Sequence, residues 1–571
     1  MNLARLVAVA SGRVPADLLL INARVVNTLN GRIEGCNVAI CDGQVAGLGD
    51  YLEGNATIDL ENRYLVPGLI DGHIHIESSM LRPGEYARAV APRGVLAAVT
   101  DLHEIANVGG LGAVRTVIDW CAGLPFELFF MAPSCVPASH LETSGATITA
   151  DDIRRAKRWK RVIGLGEMMN FPGVINADDE VLKKMSLFRG GVIDGHAPRV
   201  SGKALNAYVV SGAGSDHECT TLEEAREKLS RGMHIMIREG SSEKNLEALL
   251  PLVDDSTYGR CFFVVDDRSC VDLLADGDVD AVVRKAIASG LDPVRAIQMA
   301  TVNTARYFGL RGLGAIAPGY DASFFVVDDL TTLKADMVFH RGLLIARSGE
   351  MVTKLPHRNT NELSDSVKIK RLRPENLRIK TNRPSFPVIE VIRGQIVTAK
   401  RLEKVDTVDG FVVTDVGRDI LKLAVVERHR RTGNVGVGLV KGFGLRRGAL
   451  ASSVAHDSHN IIVVGCSDED IMEAIKEVER LHGGLVVCDG GKVVASMALP
   501  IAGLISDKPL RFVAQEFSKV DRAAHELGAR LPAPFATLSF LALPVIPDLK
   551  LTDLGLVDVT EFRLLGSADL E

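Results

Sequence analysis

The sequence predicts an α/β protein in which a metal-dependent (β/α)8 barrel is flanked by a small β domain in two parts and followed by a further α/β domain. Three observations predict it. From about residue 65 to residue 308, strand-like apolar runs alternate with helix-like stretches such as Leu222-Glu-Glu-Ala-Arg-Glu-Lys-Leu229, the pattern of βα units and a parallel sheet. That stretch is about 240 residues, which suits eight strands and their helices. Short strands with hairpin turns lie on both sides of it, so the barrel divides one β domain into two.

Each element has its own local reason. Residues 1–64 carry β-type runs at 18–21, 37–40 and 44–48, punctuated by Asn30-Gly31 and Asp42-Gly43, and give the first part of the β domain. Within 65–308 the barrel strands are expected at 65–70, 96–100, 127–131, 162–165, 191–193, 211–214, 234–237 and 262–265. Residues 309–355 return to short strands at 322–327, 337–339 and 343–346, completing the β domain. Residues 356–383 are polar, charged and proline-bearing without an apolar period, and read as a linker. Residues 384–571 hold strand-like runs at 388–392, 410–413, 421–426, 460–464 and 485–487 with a helix at 468–481, a unit of α+β or α/β type.

Composition narrows the function classes. A formal net charge of -6 and a pI near 6.2 leave no basic field to gather nucleic acid or an anionic membrane, whereas a small uncharged substrate fits. Nine cysteines without a C-x-x-C pair argue against both a disulfide framework and a cysteine-ligated zinc, and favour a reducing cytoplasm. No stretch reaches the ~18 uninterrupted apolar residues of a membrane span, and residues 1–14 do not read as an export signal. A homo-oligomer, dimer or higher, is expected.

The chemistry begins at Asp71-Gly-His-Ile-His-Ile-Glu-Ser-Ser-Met80, where His73 and His75 stand two residues apart after an apolar strand. In an extended segment such residues share a face and can close on one ion. In a parallel barrel the functional groups collect at the carboxyl ends of the strands. Reading those ends in order adds Asp101, His103 and Glu104, then Glu167, His196, His217 and the pair Asp266-Asp267. Histidine and carboxylate donors without thiolate suit manganese, iron or zinc. Two such ions turn a shared water into a nucleophile near neutral pH, and carboxylates beside them can move protons. Asp266 is the candidate to accept the nucleophile's proton; Asp267, Glu77 and Glu239 are candidates to hold the substrate or pass protons on. The zinc nucleobase deaminases, which use H-x-E with P-C-x-x-C, are excluded because the chain has no C-x-x-C.

These strand ends resemble the amidohydrolase superfamily, whose pattern is His-x-His after strand one, a carboxylate or carboxylated lysine after strand four, histidines after strands five and six, and an aspartate after strand eight. His73, His75, Glu167, His196, His217 and Asp266 match it position by position, with Glu167 in place of a carboxylated lysine. Within that superfamily the chain resembles the adenine deaminase family, through Asp101-Leu-His-Glu-Ile-Ala-Asn107, Gly166-Glu-Met-Met169, Asp194-Gly-His-Ala-Pro198, Ile237-Arg-Glu-Gly240 and Asp266-Asp-Arg268. The likeness continues beyond the barrel through Val437-Gly-Leu-Val-Lys-Gly-Phe-Gly444 and Ala455-His-Asp-Ser-His-Asn460, so it covers nearly the whole chain. The resemblance implies a split β-sandwich beside the barrel and hydrolysis of adenine to hypoxanthine and ammonia at a centre of two Mn2+ or Fe2+ ions, as in purine salvage. Asp101, His103, Glu104, Arg238, Glu239, His456 and His459 are then candidates for substrate contact or for orienting the ligands. Two other readings stay open: an amidohydrolase acting on another nucleobase or a cyclic amide, and a non-catalytic scaffold barrel.

Overall fold

The computed structural model describes residues 2–356, 358 and 361–570; Met1, Glu571 and, within the expected linker, His357, Asn359 and Thr360 lie outside the described residues. Eight parallel strands form the barrel: β1 Leu69–Ile74, β2 Val95–Asp101, β3 Glu127–Ala132, β4 Val162–Met168, β5 Val192–Gly195, β6 Ser215–Asp216, β7 His234–Arg238 and β8 Cys261–Val264. They hydrogen-bond as a run of five, β1 to β5, and a run of three, β6 to β8. Backbone bonds close both seams. Gly214 N donates to Ile193 O at 3.0 Å between β5 and β6; at the other seam Asp266 N donates to His73 O at 2.9 Å and His75 N to Asp266 O at 3.0 Å. The second seam is thus made by residues of the candidate site.

Two strands differ from expectation for local reasons. The apolar run at 65–70 is divided. Tyr64–Pro67 pairs with Ala16–Asn27 and Phe324–Val327 in the β domain, and only from Leu69 does the chain enter the barrel. Pro67 has no N–H for a continuing ladder, and Gly68 leaves room for Leu96, whose side chain a Cβ there would meet at 2.7 Å. The sixth strand lies at Ser215–Asp216 and not at 211–214, because Ser211 ends the preceding helix and Gly212 turns with φ +115°.

Tyr64–Pro67 also explains how the β domain survives division. It joins strands from before and after the barrel in one nine-stranded sheet, whose core takes Leu20, Val25, Val38, Ile40, Leu65, Phe324, Val326 and Phe339.

The last domain is an eight-stranded sheet, antiparallel except where Ser385–Val391 meets Val435–Lys441, and so of the α+β type. Alternation divides its central strand Ile420–Val426 between two cores. Ala424 and Val426 face the helix Asp468–Arg480, while Leu421, Leu423 and Val425 join the core that also takes in the barrel. That helix is well specified: Ser467 caps it through Asp470 N, three acidic residues sit in its first turn and Arg480 in its last. Within the expected linker, Val367 and Leu377 are buried in this domain's core. The domain lies over the barrel mouth and is tied to it by bonds from Asn460 Nδ2 to Thr143 O (2.8 Å), Thr552 Oγ1 to Leu141 O (2.6 Å) and Ser506 N to Met80 O (2.9 Å).

Candidate active site

The ends of β1, β4, β5, β6 and β8 converge on one buried cluster. His73 is the penultimate residue of β1 and His75 directly follows the strand, and their Nε2 atoms face each other at 3.2 Å. Asp266 Oδ1 lies 3.3 Å from His73 Nε2 and 3.1 Å from His75 Nε2. Glu167, at the end of β4, is held by its own N–H on Asp101 Oδ2 (3.0 Å). Its two oxygens serve different neighbours. Oε1 is 3.1 Å from His75 Nε2 and 3.3 Å from His103 Nδ1, whereas Oε2 is 2.6 Å from His196 Nδ1 and 3.3 Å from His217 Nε2.

These donors fit divalent metal. His75 Nδ1 hydrogen-bonds the carbonyl of Asp101 at 2.9 Å, which places the proton on Nδ1 and leaves Nε2 a bare donor toward the cluster. Glu167 Oε1 and the His103 Nδ1 that faces it at 3.3 Å are both buried with no hydrogen-bond partner. Four overlapping triads have the spacing of ligand sets: His73-His75-Asp266, His73-Glu167-His217, His75-His103-Glu167 and His196-His217-Glu218. Glu167 belongs to two of them. Burial opposes the charge on Glu167, yet His196, His217 and His75 hold its carboxyl well below the usual range. Burial likewise opposes a charged His217, but Glu167 and Asp266 push it up to about 9.

The surrounding shell fixes the ligands. Arg238 Nη1 bridges Asp266 Oδ2 (2.7 Å) and Glu218 Oε1 (2.5 Å), turning Oδ1 of Asp266 toward the imidazoles. Fully buried Lys228 donates to Ala197 O (2.7 Å) and Asp216 Oδ2 (3.0 Å), locking together the turns that carry His196 and His217. Tyr208 accepts the His196 N–H and donates to Met168 O, both at 2.9 Å. Glu77 takes the N–H of Ile105 on Oε1 (3.2 Å), its Oε2 is buried without a partner, and burial pushes it up to about 7.

The last domain contributes two imidazoles. His456 Nδ1 lies 2.8 Å from Glu104 Oε1, and His459 Nε2 contacts Glu104 Oε2. His459 Nδ1 accepts the N–H of Ala455 (3.1 Å), which leaves the ring proton on Nε2, the atom in contact with Glu104. His456 stacks on Phe540 with centroids 4.5 Å apart and planes 14° off parallel. Glu104 in turn is 3.4 Å from His103 Nε2.

The other expected residues are placed as follows. Asp101 supports Glu167 through its Oδ2, which accepts the Glu167 N–H, and His75 through its carbonyl. Asp267 is half-buried and accepts from Ser78 Oγ. Glu239 is engaged away from the imidazoles, by Lys285 Nζ (2.6 Å) and Leu246 N (3.1 Å). Sequence reasoning passed over Glu218, although it directly follows His217 as Glu104 follows His103. It also passed over Asp194, whose Oδ2 lies 4.0 Å behind His73 Nδ1.

Residues 64–361 match the model of the amidohydrolase family, and residues 395–563 that of the adenine deaminase C-terminal domain. A protein named adenine deaminase from Dehalococcoides mccartyi is 56% identical over 564 residues, 99% of each chain. Adenine deaminase 2 of Carboxydothermus hydrogenoformans is 50% identical over 562 residues, 98% of each chain. Among solved structures, a β-aspartyl dipeptidase of Fervidobacterium islandicum AW-1 gives a TM-score of 0.47 at 19% identity, over 60% of this chain and 99% of that chain.

Proposed function

This chain belongs to the adenine deaminase family of the amidohydrolases, and we propose that the cluster at its barrel mouth is the active site. The enzyme hydrolyses adenine to hypoxanthine and ammonia. The observation that carries the site is the division of Glu167, one oxygen toward His75 and His103 and the other toward His196 and His217. His73, His75, Glu167, His196, His217 and Asp266 would hold two ions, Mn2+ or Fe2+. When bound, such ions supply acidified water and charge neutralisation for attack at a ring carbon.

The chain's own groups do the rest. In the reaction a C6–O bond forms, the C6–N bond to the exocyclic amine breaks, and protons pass to the ring nitrogen and the leaving amine. Asp266, its Oδ2 held by Arg238, presents Oδ1 toward the site as the acceptor of water's proton. Glu77, near neutral in its proton affinity, carries a proton on the unpartnered Oε2 and is the donor to the purine. Asp267 contacts the purine edge. Glu104, fixed by His456 and His459, completes the wall of the pocket on the side of the last domain, which excludes bulk water. A pocket closed around the free base makes adenosine a poor substrate.

We place the reaction in purine salvage in the cytoplasm, in keeping with nine unpaired cysteines, and in a homo-oligomer of two or more chains. Among the described residues no helix is long and apolar enough to cross a membrane. Manganese-loaded protein incubated with adenine should show the ultraviolet change to hypoxanthine together with ammonia release. Metal-replete protein that leaves adenine intact while opening a cyclic amide would overturn the reading.

A further inference from the structure

Arg428 lies just past the strand Ile420–Val426 and is fully buried. Among the described residues no carboxylate pairs with it. The carboxylate of neighbouring Glu427 is taken up by the N–H groups of His429, Arg430 (2.6 Å) and Thr432 (2.8 Å). The guanidinium instead donates to carbonyls from three segments: Nε to His459 O, Nη2 to Ala502 O (3.0 Å) and Nη1 to Ser366 O (3.3 Å). Burying a cation without a counter-charge is costly, and burial pulls its pKa down to about 9. A residue kept at that cost should be fixing something.

Its bonds converge on the loop 455–460. Besides the grip on His459 O, the Arg428 N–H donates to Asn460 Oδ1 (3.2 Å), and His429 Nε2 hydrogen-bonds Ser458 O (2.7 Å). Asn460 Nδ2 continues to Thr143 O on the barrel. Three consecutive residues of the loop are therefore held from residues 428 and 429, while the same loop presents His456 and His459 to Glu104. A planar fork with five N–H donors matches several carbonyls at fixed directions, which an ammonium does not. Gly503 is part of the fit, since a Cβ there would lie 2.6 Å from Nη1.

We infer that Arg428 is a positioning residue for the deamination: it fixes the loop 455–460 so that His456 and His459 hold Glu104 at the barrel mouth. The inference rests on the reading of that histidine pair as part of the active site. The test is a double-mutant cycle on full-length, metal-loaded protein, with Arg428→Lys crossed against His459→Ala. Metal content, thermal midpoint, kcat and KM for adenine are measured for each protein. Arg428→Lys is expected to lower kcat about 10- to 100-fold with KM within about threefold and metal content unchanged. In the His459→Ala background the same substitution should lower kcat by a clearly smaller factor, because one of the two groups it positions is gone and only His456 remains to be held. Equal losses in both backgrounds, unimpaired kcat in Arg428→Lys, or a loss explained by lower metal content overturns the inference alone. Unimpaired kcat in His459→Ala overturns both the inference and the reading on which it rests. Where Arg428→Lys does not yield folded protein, His429→Ala, which removes the hold on Ser458 O, takes its place in the cycle with the same criteria.

Discussion

Replacing Glu167 by glutamine keeps the shape of the side chain and removes the charge shared by two sets of imidazoles. In the structure Oε1 is 3.1 Å from His75 and Oε2 is 2.6 Å from His196, so whichever way the amide turns, one set meets an NH2 group that cannot ligate an ion. Removing one partner from a buried charge cluster costs about 3–5 kcal/mol. At about 1.4 kcal/mol per tenfold, that is a loss of roughly two to three and a half decades in affinity for an ion on the affected side. Glu167→Gln should therefore retain well under two manganese ions per chain after equilibration and lose adenine turnover. Its circular dichroism and melting in the presence of excess manganese report whether the fold is kept. The assay is elemental analysis after dialysis, paired with kcat on the same samples. A folded Glu167→Gln protein that holds both ions and turns over adenine at the normal rate would refute the bridging role.

Asp266 and Asp267 should separate kinetically: Asp266→Asn abolishes turnover through kcat, whereas Asp267→Asn, altering a half-buried group bonded to Ser78, changes KM as well; the reverse pattern would exchange their roles. His456→Ala and His459→Ala each leave a donor missing on buried Glu104, and a deficit of about 1–3 kcal/mol, roughly 5- to 150-fold in kcat/KM, is expected with metal content unchanged. Near-normal kcat/KM in both would leave the last domain a structural role. Stripping the metal should invert the pH dependence of stability. In the metal-free cluster, burial opposes a charged His217 but Glu167 and Asp266 raise it from 6.5 to about 9, so its contribution is fully present below about pH 6.5 and is lost as pH rises to about 9. That contribution is roughly 3 kcal/mol. Loaded protein, whose imidazoles must be unprotonated to ligate, should gain over the same range, and parallel melting curves for chelated and loaded protein would contradict this.

Much of the barrel could be read from sequence because most of its strands are apolar runs set between helical stretches, and because chemistry at strand ends needs residue types that stand out. His73, His75, Glu167, His196, His217 and Asp266 are conspicuous for that reason. What escaped has identifiable physical causes. The run at 65–70 looks like one strand, and only the pairing shows that Tyr64–Pro67 belongs to the β domain. Ser215–Asp216 is too short and too polar to register as a strand, so its histidine was found while its position was not. Glu218 was hidden by its neighbour, since one residue per strand end satisfied the pattern. Arg428 sits in the basic run Glu427-Arg-His-Arg-Arg431, which in sequence has the look of a solvated turn; its burial is set by segments distant in the chain. The contact of His456 and His459 with Glu104 likewise exists only once the last domain is folded over the barrel.

The central claim is that one glutamate divides its two oxygens between two metal ions at the mouth of the barrel. Anomalous diffraction at the manganese edge from crystals of the loaded enzyme tests it most directly. Two peaks about 3.5–4 Å apart are predicted, one among His73, His75 and Asp266 and the other between His196 and His217, each in contact with a different oxygen of Glu167. A single peak, or two peaks of which one does not touch Glu167, would contradict it.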